Sequence, residues 1–289
     1  MKKSILFILF LSFFAGSAQE NLTFQQPSKD ILALADYERT PSVNMDSKKE
    51  YMLLSYRSTY KTLDELSQEE MRLGGLRINP ITNISSTVTY INNLKLRKVK
   101  DKVETQVSGL PQNPKITNVS WSQNEKKIAF TNTTATGVEL WVIDVATASA
   151  KKITDANLNA NLGNPFNWMK DNETLLVKML PKNRPALIDS KKDLPKGPTV
   201  STGDGKVSQN RTYQDLLKNP TDEANFDALV TSELYKVSLS GKIELFKPAA
   251  IYAGESFSPD GNYLMITTIH KPYSYIVPLS RFPQKSVVY

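Results

Sequence analysis

One eight-residue pattern recurs along the 289-residue chain and constrains its fold more than any other feature. A large apolar residue is followed by a polar turn rich in Asp, Asn or Gly, and an apolar residue stands seven positions on. The clearest copies begin at Trp121, Trp168 and Phe257, and a looser copy begins at Met45. Such turn residues tolerate a positive φ or cap their own backbone, so each copy predicts a β-hairpin. The strands predicted after the turns are residues 52–56, 128–131, 175–179 and 264–268.

A second pair of strands follows the hairpin in two of the copies. "GVELWVIDVATASAKKIT" predicts strands over residues 138–144 and 151–154, and "SELYKVSLSGKIELF" predicts strands over residues 234–238 and 243–246. "LRINPITN", residues 76–83, is interpreted as an earlier and more decorated copy of this outer pair. One inner and one outer hairpin together make a four-stranded unit.

The spacing of these units predicts an all-β chain with a partial β-propeller of about four blades. Trp121 and Trp168 lie 47 residues apart, close to the ~40–50 residues of one propeller blade. The intervals on either side are longer and leave room for insertions within the first and third blades. A β-sandwich is the alternative architecture, because short strands with frequent turn signals suit both folds.

Short segments with helical spacing interrupt the β pattern. The predicted helices are residues 62–73, 213–219 and 222–230. Asn219 and Pro220 separate the last two, since such a pair breaks one helix and starts another. Residues 181–210 are rich in Pro, Gly, Lys, Asp and Ser and are predicted to be an exposed excursion from the third blade. With the helices that follow, they form a predicted insertion over residues 181–232.

The amino terminus is interpreted as a secretory signal peptide. Lys2 and Lys3 precede an apolar run over residues 5–14, which is too short to span a membrane as an anchor. Small residues follow, and cleavage is expected near Ala18 or Gln19. The mature protein is therefore expected to be secreted or periplasmic. The predicted domains are a signal peptide over residues 1–19 and a propeller region over residues 20–289.

Composition excludes several classes of site and partner. The chain has no cysteine, so disulfides, thiol chemistry and a lipid-anchored amino terminus are excluded. Its formal charge of +7 falls to +5 without Lys2 and Lys3, and the remaining basic residues alternate with acids, as over residues 95–102. That stretch favours a solvated strand face or hairpin over a nucleic-acid surface. Beyond the signal peptide no apolar stretch is long enough for a membrane helix. Neither nucleic acid nor membrane is therefore predicted as a partner.

No constellation of catalytic groups is visible in the sequence. His270 is the single histidine, so a metal site built on several histidines is excluded, and no cofactor-binding motif occurs. Ser256 lies in a string that lacks the last glycine of a nucleophile elbow and enters a predicted hairpin. A role for His270 as a base is weighed against a strand-end histidine satisfied by its neighbours, and the second interpretation is favoured. No catalytic, cofactor-binding or metal residue is predicted.

Five strings carry a further signal, and they lie within residues 69–83, 137–147, 211–227, 231–237 and 258–283. Two stretches within them, "RTYQDLLKNP" and "IHKPYSYIVP", are far more specific than the "SPDG" turn that many propellers share. These strings closely resemble the N-terminal region of secreted glutamyl endopeptidases, members of the prolyl oligopeptidase (S9) family of serine peptidases. The resemblance covers essentially the whole mature chain.

The resemblance implies a β-propeller followed by an α/β-hydrolase domain with a Ser-Asp-His triad. In this family the propeller admits peptides to the triad and excludes folded proteins. The family's catalytic residues lie beyond the point corresponding to Tyr289, so none is assigned to this chain. Residues 282–289 are accordingly interpreted as the beginning of a further segment.

The expected function is that of a non-catalytic, substrate-gating propeller, with the hydrolase domain and peptide substrates as partners. The parent peptidase is expected to cleave after glutamate. A stand-alone periplasmic propeller that binds a protein or peptide is the alternative, and a hydrolase active by itself is a third hypothesis. No cofactor is expected.

Overall fold

A computed structural model of the chain describes residues 27–189, 205 and 213–289. The predicted signal peptide, residues 1–19, lies outside the described residues. So does most of the predicted excursion over residues 181–210.

The chain divides into two compact units, Met1–Glu38 and Arg39–Tyr289. The described part of the first unit contains helix α1 (Lys29–Ala35), every residue of which is exposed. The second unit contains all the β-sheets of the described residues.

The second unit is built mainly of short antiparallel strands. In chain order they are β1 (Ser42–Met45), β2 (Tyr51–Tyr56), β3 (Met71–Leu73), β4 (Leu76–Asn79), β5 (Ile84–Ser85), β6 (Asn93–Lys98), β7 (Glu104–Gln106), β8 (Ile116–Trp121), β9 (Lys127–Thr133), β10 (Val138–Asp144), β11 (Ser149–Lys152), β12 (Phe166–Trp168), β13 (Thr174–Met179), β14 (Ser232–Ser238), β15 (Ile243–Phe257), β16 (Leu264–Ile269) and β17 (Gln284–Val288). Helices α2 (Leu63–Ser67) and α3 (Pro220–Val230) and a 3₁₀ turn at Leu279–Arg281 lie between them.

These strands form four consecutive sheets and one small additional sheet. Sheet 1 has the order β1-β2-β6-β7, and sheet 2 has the order β8-β9-β10-β11. Sheet 3 contains β12, β13, β14 and residues 243–250 of β15, whereas residues 251–257 of β15 begin sheet 4 with β16 and β17. The small sheet, β3-β4-β5, lies within the connection between β2 and β6.

The repeated sequence pattern corresponds to the first hairpin of each sheet. The first and eighth residues of every copy are paired across the turn, as Trp121 is with Ile128. The fifth residue always has a positive φ, which closes the turn so tightly that the two strands can pair. These residues are Lys49 at 57°, Glu125 at 59°, Asn172 at 58° and Gly261 at 67°. The predicted hairpins are therefore confirmed in all four copies.

The hydrophobic core consists of one layer between each pair of consecutive sheets. Leu53 of sheet 1 packs with Ile128 of sheet 2, and Leu140 of sheet 2 packs in a layer with Leu175 of sheet 3. Leu176 of sheet 3 belongs to a further layer with residues of sheet 4. The second strands β9 and β13 are buried along nearly their whole length, since each lies between two neighbouring sheets. This succession of face-to-face layers confirms the predicted propeller-like all-β fold with short helical insertions.

One prediction about strands is wrong. Residues 76–83 are not the outer pair of the first blade, because β4 pairs with β3 and β5 in the small sheet and the outer pair is β6 and β7. The prediction of a strand or hairpin over residues 95–102 is confirmed, because this stretch contains the end of β6 and the turn that leads to β7. Residues 284–288, which lie in the stretch interpreted as the beginning of a further segment, form β17, which pairs along its whole length with β16 as the third strand of sheet 4.

Two predictions about helices also need correction. The helix predicted over residues 62–73 ends at Ser67, because Gln68 is extended and residues from Met71 onward pair as β3. No helix forms over residues 213–219, where Asp215 has a φ of 59°. The helix predicted over residues 222–230 is confirmed as α3, which Asn219 caps by accepting a hydrogen bond from the Asp222 amide.

Candidate functional site

Three long connections leave the same end of the sheets. In antiparallel sheets of like build, the connection between the second and third strands always emerges at the same end. In sheets 1, 3 and 4 this connection spans residues 57–92, 180–231 and 270–283, whereas in sheet 2 it is only residues 134–137. We call the described residues of the three long connections the cap. Insertions on one end of a repeat architecture commonly form a binding face.

Aromatic side chains from two of these connections form the centre of the cap. Phe226 of α3 is fully buried, and its ring lies edge-on to Tyr273 and Phe282, with centroids 5.2 and 5.8 Å away. The first connection reaches the same centre at Gly74, where a Cβ atom would lie 3.1 Å from the Phe226 ring. Ile269 at the end of β16 belongs to the same buried cluster. The three connections therefore share one apolar core that continues into sheet 4.

An ion pair joins the first connection to the second. Arg77 on β4 donates from Nε to Oδ2 of Asp215 at 2.8 Å, and Arg72 lies 3.7 Å from the other carboxylate oxygen. The Gly75 amide also donates to the Asp215 carbonyl at 2.8 Å. The left-handed conformation of Asp215 presents its carboxylate and its carbonyl to the same small sheet.

Asp227 of α3 joins the second connection to the third. The Tyr273 hydroxyl donates to Oδ1 of Asp227 at 2.5 Å, and the Lys271 ammonium lies 2.7 Å from Oδ2. Burial and the Asp227 carboxylate raise the pKa of Tyr273, so its hydroxyl stays protonated and remains a donor at neutral pH.

The carboxyl end of α3 is held by side chains from elsewhere in the molecule. Arg184 donates from Nε to the Ala228 carbonyl at 2.8 Å and from Nη1 to Asn83 at 2.6 Å. Asn159 and Asn161 both donate to the Leu229 carbonyl. These bonds satisfy carbonyls that the last turn of a helix leaves without partners. Burial lowers the pKa of Arg184, which still remains a cation at physiological pH.

A buried ion pair lies where sheets 3 and 4 meet. The Lys178 ammonium is 3.1 Å from Oε1 of Glu255 and donates to the Leu162 and Tyr252 carbonyls, also at 3.1 Å. Only 3% of the Lys178 side chain and 2% of the Glu255 side chain are exposed. Burial lowers the pKa of Lys178 and raises the pKa of Glu255, because desolvation opposes the charged form of each group. The ammonium thus joins the segment before β12, at Leu162, to two groups of β15.

The residues considered for chemistry in the sequence are not brought together. His270 follows β16, and its Nε2 lies 2.7 Å from the Thr268 hydroxyl, which confirms the interpretation of a strand-end histidine satisfied by a neighbour. Ser256 lies inside β15, paired with Met265 in an antiparallel ladder rather than on a strand-to-helix turn. Within the ranges that the structure describes, no group of three or more potential metal-ligating residues occurs. No helix in those ranges is long and apolar enough to cross a membrane.

Sequence reasoning missed the residues that assemble the cap. Arg77 and Asp215 are 138 positions apart, and Arg184 and Asn83 are 101 positions apart, so no local pattern connects them. The available signal was positional: long insertions occur in the sequence repeats, and insertions at one position of a repeat lie on one face.

Comparison with known proteins finds two plant proteins similar to this chain. No protein-family profile matches it. "Probable glutamyl endopeptidase, chloroplastic" from Oryza sativa subsp. japonica is 34% identical over 276 residues, which cover 91% of this chain and 29% of that protein. A protein of the same description from Arabidopsis thaliana is 32% identical over 279 residues, covering 92% of this chain and 29% of its own length. Over nearly its whole length, this chain is similar in sequence to a part of these glutamyl endopeptidases. The predicted resemblance to glutamyl endopeptidases is thereby confirmed.

Among solved structures, the acylaminoacyl peptidase of Pyrococcus horikoshii (orthorhombic crystal form) is similar with a TM-score of 0.44 and 13% sequence identity. The match covers 88% of this chain and 33% of that one. In the sequence comparison, the chain spans less than a third of the length of each of the two plant glutamyl endopeptidases.

Proposed function

We propose that this chain is the substrate-gating, non-catalytic propeller portion of a glutamyl endopeptidase. The parent enzyme would cleave peptides after glutamate with a Ser-Asp-His triad carried on a partner α/β-hydrolase domain. The observation that carries the proposal is the cap, in which three connections from separate sheets pack into one layer at one end of the propeller. Such a layer can limit access to a neighbouring catalytic domain to extended peptides.

The outer surface of the cap supports a contact with a second domain. Large apolar side chains on all three connections remain exposed, including Leu63 at 84%, Leu66 at 65% and Ile276 at 79%. The others are Tyr60, Ile81 and Ile188. A contiguous patch of exposed apolar side chains marks an interaction surface. We assign the hydrolase domain as the occupant of this surface.

A chimera tests the proposed role. The hydrolase portion of the rice relative, produced alone and joined to this chain, is assayed with a short glutamyl peptide and with a folded protein that contains exposed glutamates. The proposal expects the chimera to cleave the peptide and to spare the folded protein better than the hydrolase portion does alone. Equal cleavage of the folded protein by both would contradict a gating role.

Matched double variants locate the contact. Leu63→Glu with Leu66→Glu should reduce binding of the separate hydrolase portion about tenfold, because buried apolar contacts carry most interface energy. Ile243→Glu with Leu245→Glu changes two comparably apolar exposed residues on β15 and should leave binding unchanged. If the β15 pair has the larger effect, the assigned surface is wrong.

The chain by itself is expected to be inactive. Purified residues 20–289 should neither turn over a glutamyl peptide nor react with a fluorophosphonate probe. Stoichiometric labelling of a serine would show that the chain is itself a hydrolase. Normal folding of the chain with no effect on the hydrolase portion would instead favour the stand-alone binding propeller.

We also propose that the protein is exported, on the basis of residues 1–19. Mass spectrometry of protein isolated from its native source should find an amino terminus at Gln19 or Glu20. A retained Met1 would contradict export by this route.

A further inference from the structure

A groove of about 470 Å³ lies between the first strands of sheets 1 and 2. Both strands are edges of their sheets: β1 is paired only with β2, and β8 is paired with β9 and, on its other side, only at Ile116, which bridges to Ile91. All four residues of β1 are exposed. Free main-chain groups on an exposed edge are the usual receptor for an extended peptide.

The groove has one charged residue in its lining, and that residue is Arg57. The other lining side chains are uncharged, among them Asn44, Thr89 and Asn118. Arg57 is exposed and has no ion pair or hydrogen bond to any side chain in the described part of the chain. Arg72, Arg77 and Arg97, on sheet 1 and in its insertion, differ from Arg57, since each lies within 4 Å of a carboxylate.

Neighbouring groups add further hydrogen-bonding capacity to the groove. Asn44 accepts a hydrogen bond from the Trp121 indole through Oδ1, which directs its other amide atom, a donor, away from that bond. Asn118 has a φ of 51° at a register shift between Thr117 and Ser120, and its Nδ2 already donates to the Thr117 and Thr131 hydroxyls, so this residue shapes the edge rather than adding a donor. Bulges of this kind re-aim side chains at sheet edges and occur beside binding sites.

We propose that this groove binds an acidic side chain of an extended peptide, with Arg57 as the receptor for the carboxylate. The inference deepens the proposed function, because it assigns a substrate feature, a glutamate or aspartate side chain, to a named residue of the propeller. Arg57 offers a planar fork of donors that matches a carboxylate, and no carboxylate lining the groove competes for it. The main chain of the peptide would lie along the edges of β1 and β8.

Direct binding tests the inference without any peptidase activity. Two peptides with blocked termini, identical except for one central Glu or Gln, are titrated into the chain and followed by fluorescence anisotropy. The proposal expects the Glu peptide to bind about tenfold more tightly, the ratio that one charge-assisted contact provides. Equal affinities, or no binding of either peptide at millimolar concentration, would overturn it.

Three variants make the test specific. Arg57→Gln should bring the two affinities within about twofold of each other while leaving the Gln peptide unaffected, and Arg57→Lys should keep part of the preference because charge remains without the fork. Arg97→Gln removes the same charge from the outer strand β6, where Arg97 faces Glu104 at 3.7 Å, and should change nothing. Thermal unfolding of each variant confirms that it is folded.

The outcomes separate this inference from the proposed function. Loss of the Glu preference in Arg97→Gln as well would show a general charge effect and overturn the assignment of Arg57. A chimera with the rice hydrolase portion that still spares folded proteins when it carries Arg57→Gln leaves gating intact. The peptide titrations then test only whether the groove binds an acidic side chain, independently of gating.

Discussion

Sheet 2 and the cap are built on different principles. Sheet 2 is regular: its four strands follow one another with short turns, and apolar layers cover both of its faces. The cap has an aromatic centre, but its three segments are joined at their margins by charged and amide groups such as Asp215, Asp227 and Arg184.

The difference shows where specificity resides in a repeat protein. The layers between sheets can form from any apolar residues of suitable size, because burial is not directional. The cap requires particular partners at particular places, since an unpaired buried polar group costs about 1–3 kcal/mol. The sheets therefore supply a scaffold, and the cap supplies the part that distinguishes this propeller from others.

Among the substitutions considered, removal of the aromatic centre of the cap should have the largest effect on the free energy of unfolding. Phe226→Ala deletes a fully buried ring against Tyr273 and Phe282 and should lower the free energy of unfolding by about 3–5 kcal/mol. Urea denaturation measures the loss. Phe246→Ala, on the half-buried outer part of β15, is the matched control and should cost clearly less. Equal losses would mean that the ring is not central to the cap.

Loss of the buried ion pair between Lys178 and Glu255 should have the second largest effect on stability. Lys178→Met leaves the buried Glu255 carboxylate without its cation and two carbonyls without their donor, and it should cost about 3 kcal/mol. We expect the lower end of the usual range because burial already raises the pKa of Glu255, which can take up a proton and become neutral. Lys242→Met, at a side chain 76% exposed in a turn, should stay within about 0.5 kcal/mol of the original protein.

The tryptophans of the repeat should have a smaller effect on the sheets. Trp168 donates from its indole nitrogen to the Ser120 carbonyl, as Trp121 does to Asn44, so each ties its sheet to the preceding one. Trp168→Phe keeps most of the apolar ring and removes the donor, so it should cost about 1 kcal/mol in thermal or urea unfolding. A loss above that of Lys178→Met would show that packing, rather than the hydrogen bond, makes this residue recur.

The surface pair between Asp144 and Lys127 should have the smallest effect, and that effect should depend on pH. The hydrogen bond from Lys127 at 2.5 Å, helped by Thr147, lowers the pKa of Asp144 below its ordinary value. Between the pKa values of Asp144 in the folded and unfolded chain, the unfolded chain therefore binds more protons. The stabilisation is present above the pKa of the unfolded state and is lost as the pH falls through the pKa of the folded state.

Asp144→Asn should thus lose a few tenths to about 1 kcal/mol at pH 7 and nothing near pH 2, because solvent screens a side chain 34% exposed. Asp155→Asn, at a side chain 93% exposed, is the control and should show no such profile. A difference that persists in strong acid would contradict the assigned cause.

Most strands of the sheets could be predicted from the sequence, whereas the contacts that assemble the cap could not. The spacing of seven positions between the two apolar residues predicted the first hairpin of each sheet. A tight turn with one positive-φ residue brings these two apolar residues opposite each other, as it does for Trp168 and Leu175. Asn219 and Pro220 located α3 for an equally local reason. The outer pair of sheet 1 was misplaced because the small sheet, which contains Ile78, interrupts the repeat with strands of its own.

The contacts of the cap could not be predicted because they join residues far apart in the chain. Asp215 lies in a segment with helical spacing, yet its ion pair with Arg77 holds it in a left-handed conformation that ends any helix there. Arg57 is likewise one basic residue among many until the fold leaves it without a carboxylate partner in an otherwise uncharged groove.

The central claim is that three connections from separate sheets form one cooperative layer, distinct from the sheets beneath it. Hydrogen exchange measured by mass spectrometry on the original protein and on Phe226→Ala tests it directly. The account predicts that residues 63–85, 220–230 and 270–283 lose protection together in the variant, while residues 116–152 of sheet 2 keep theirs. Loss confined to residues 220–230, or equal loss in sheet 2, would contradict it.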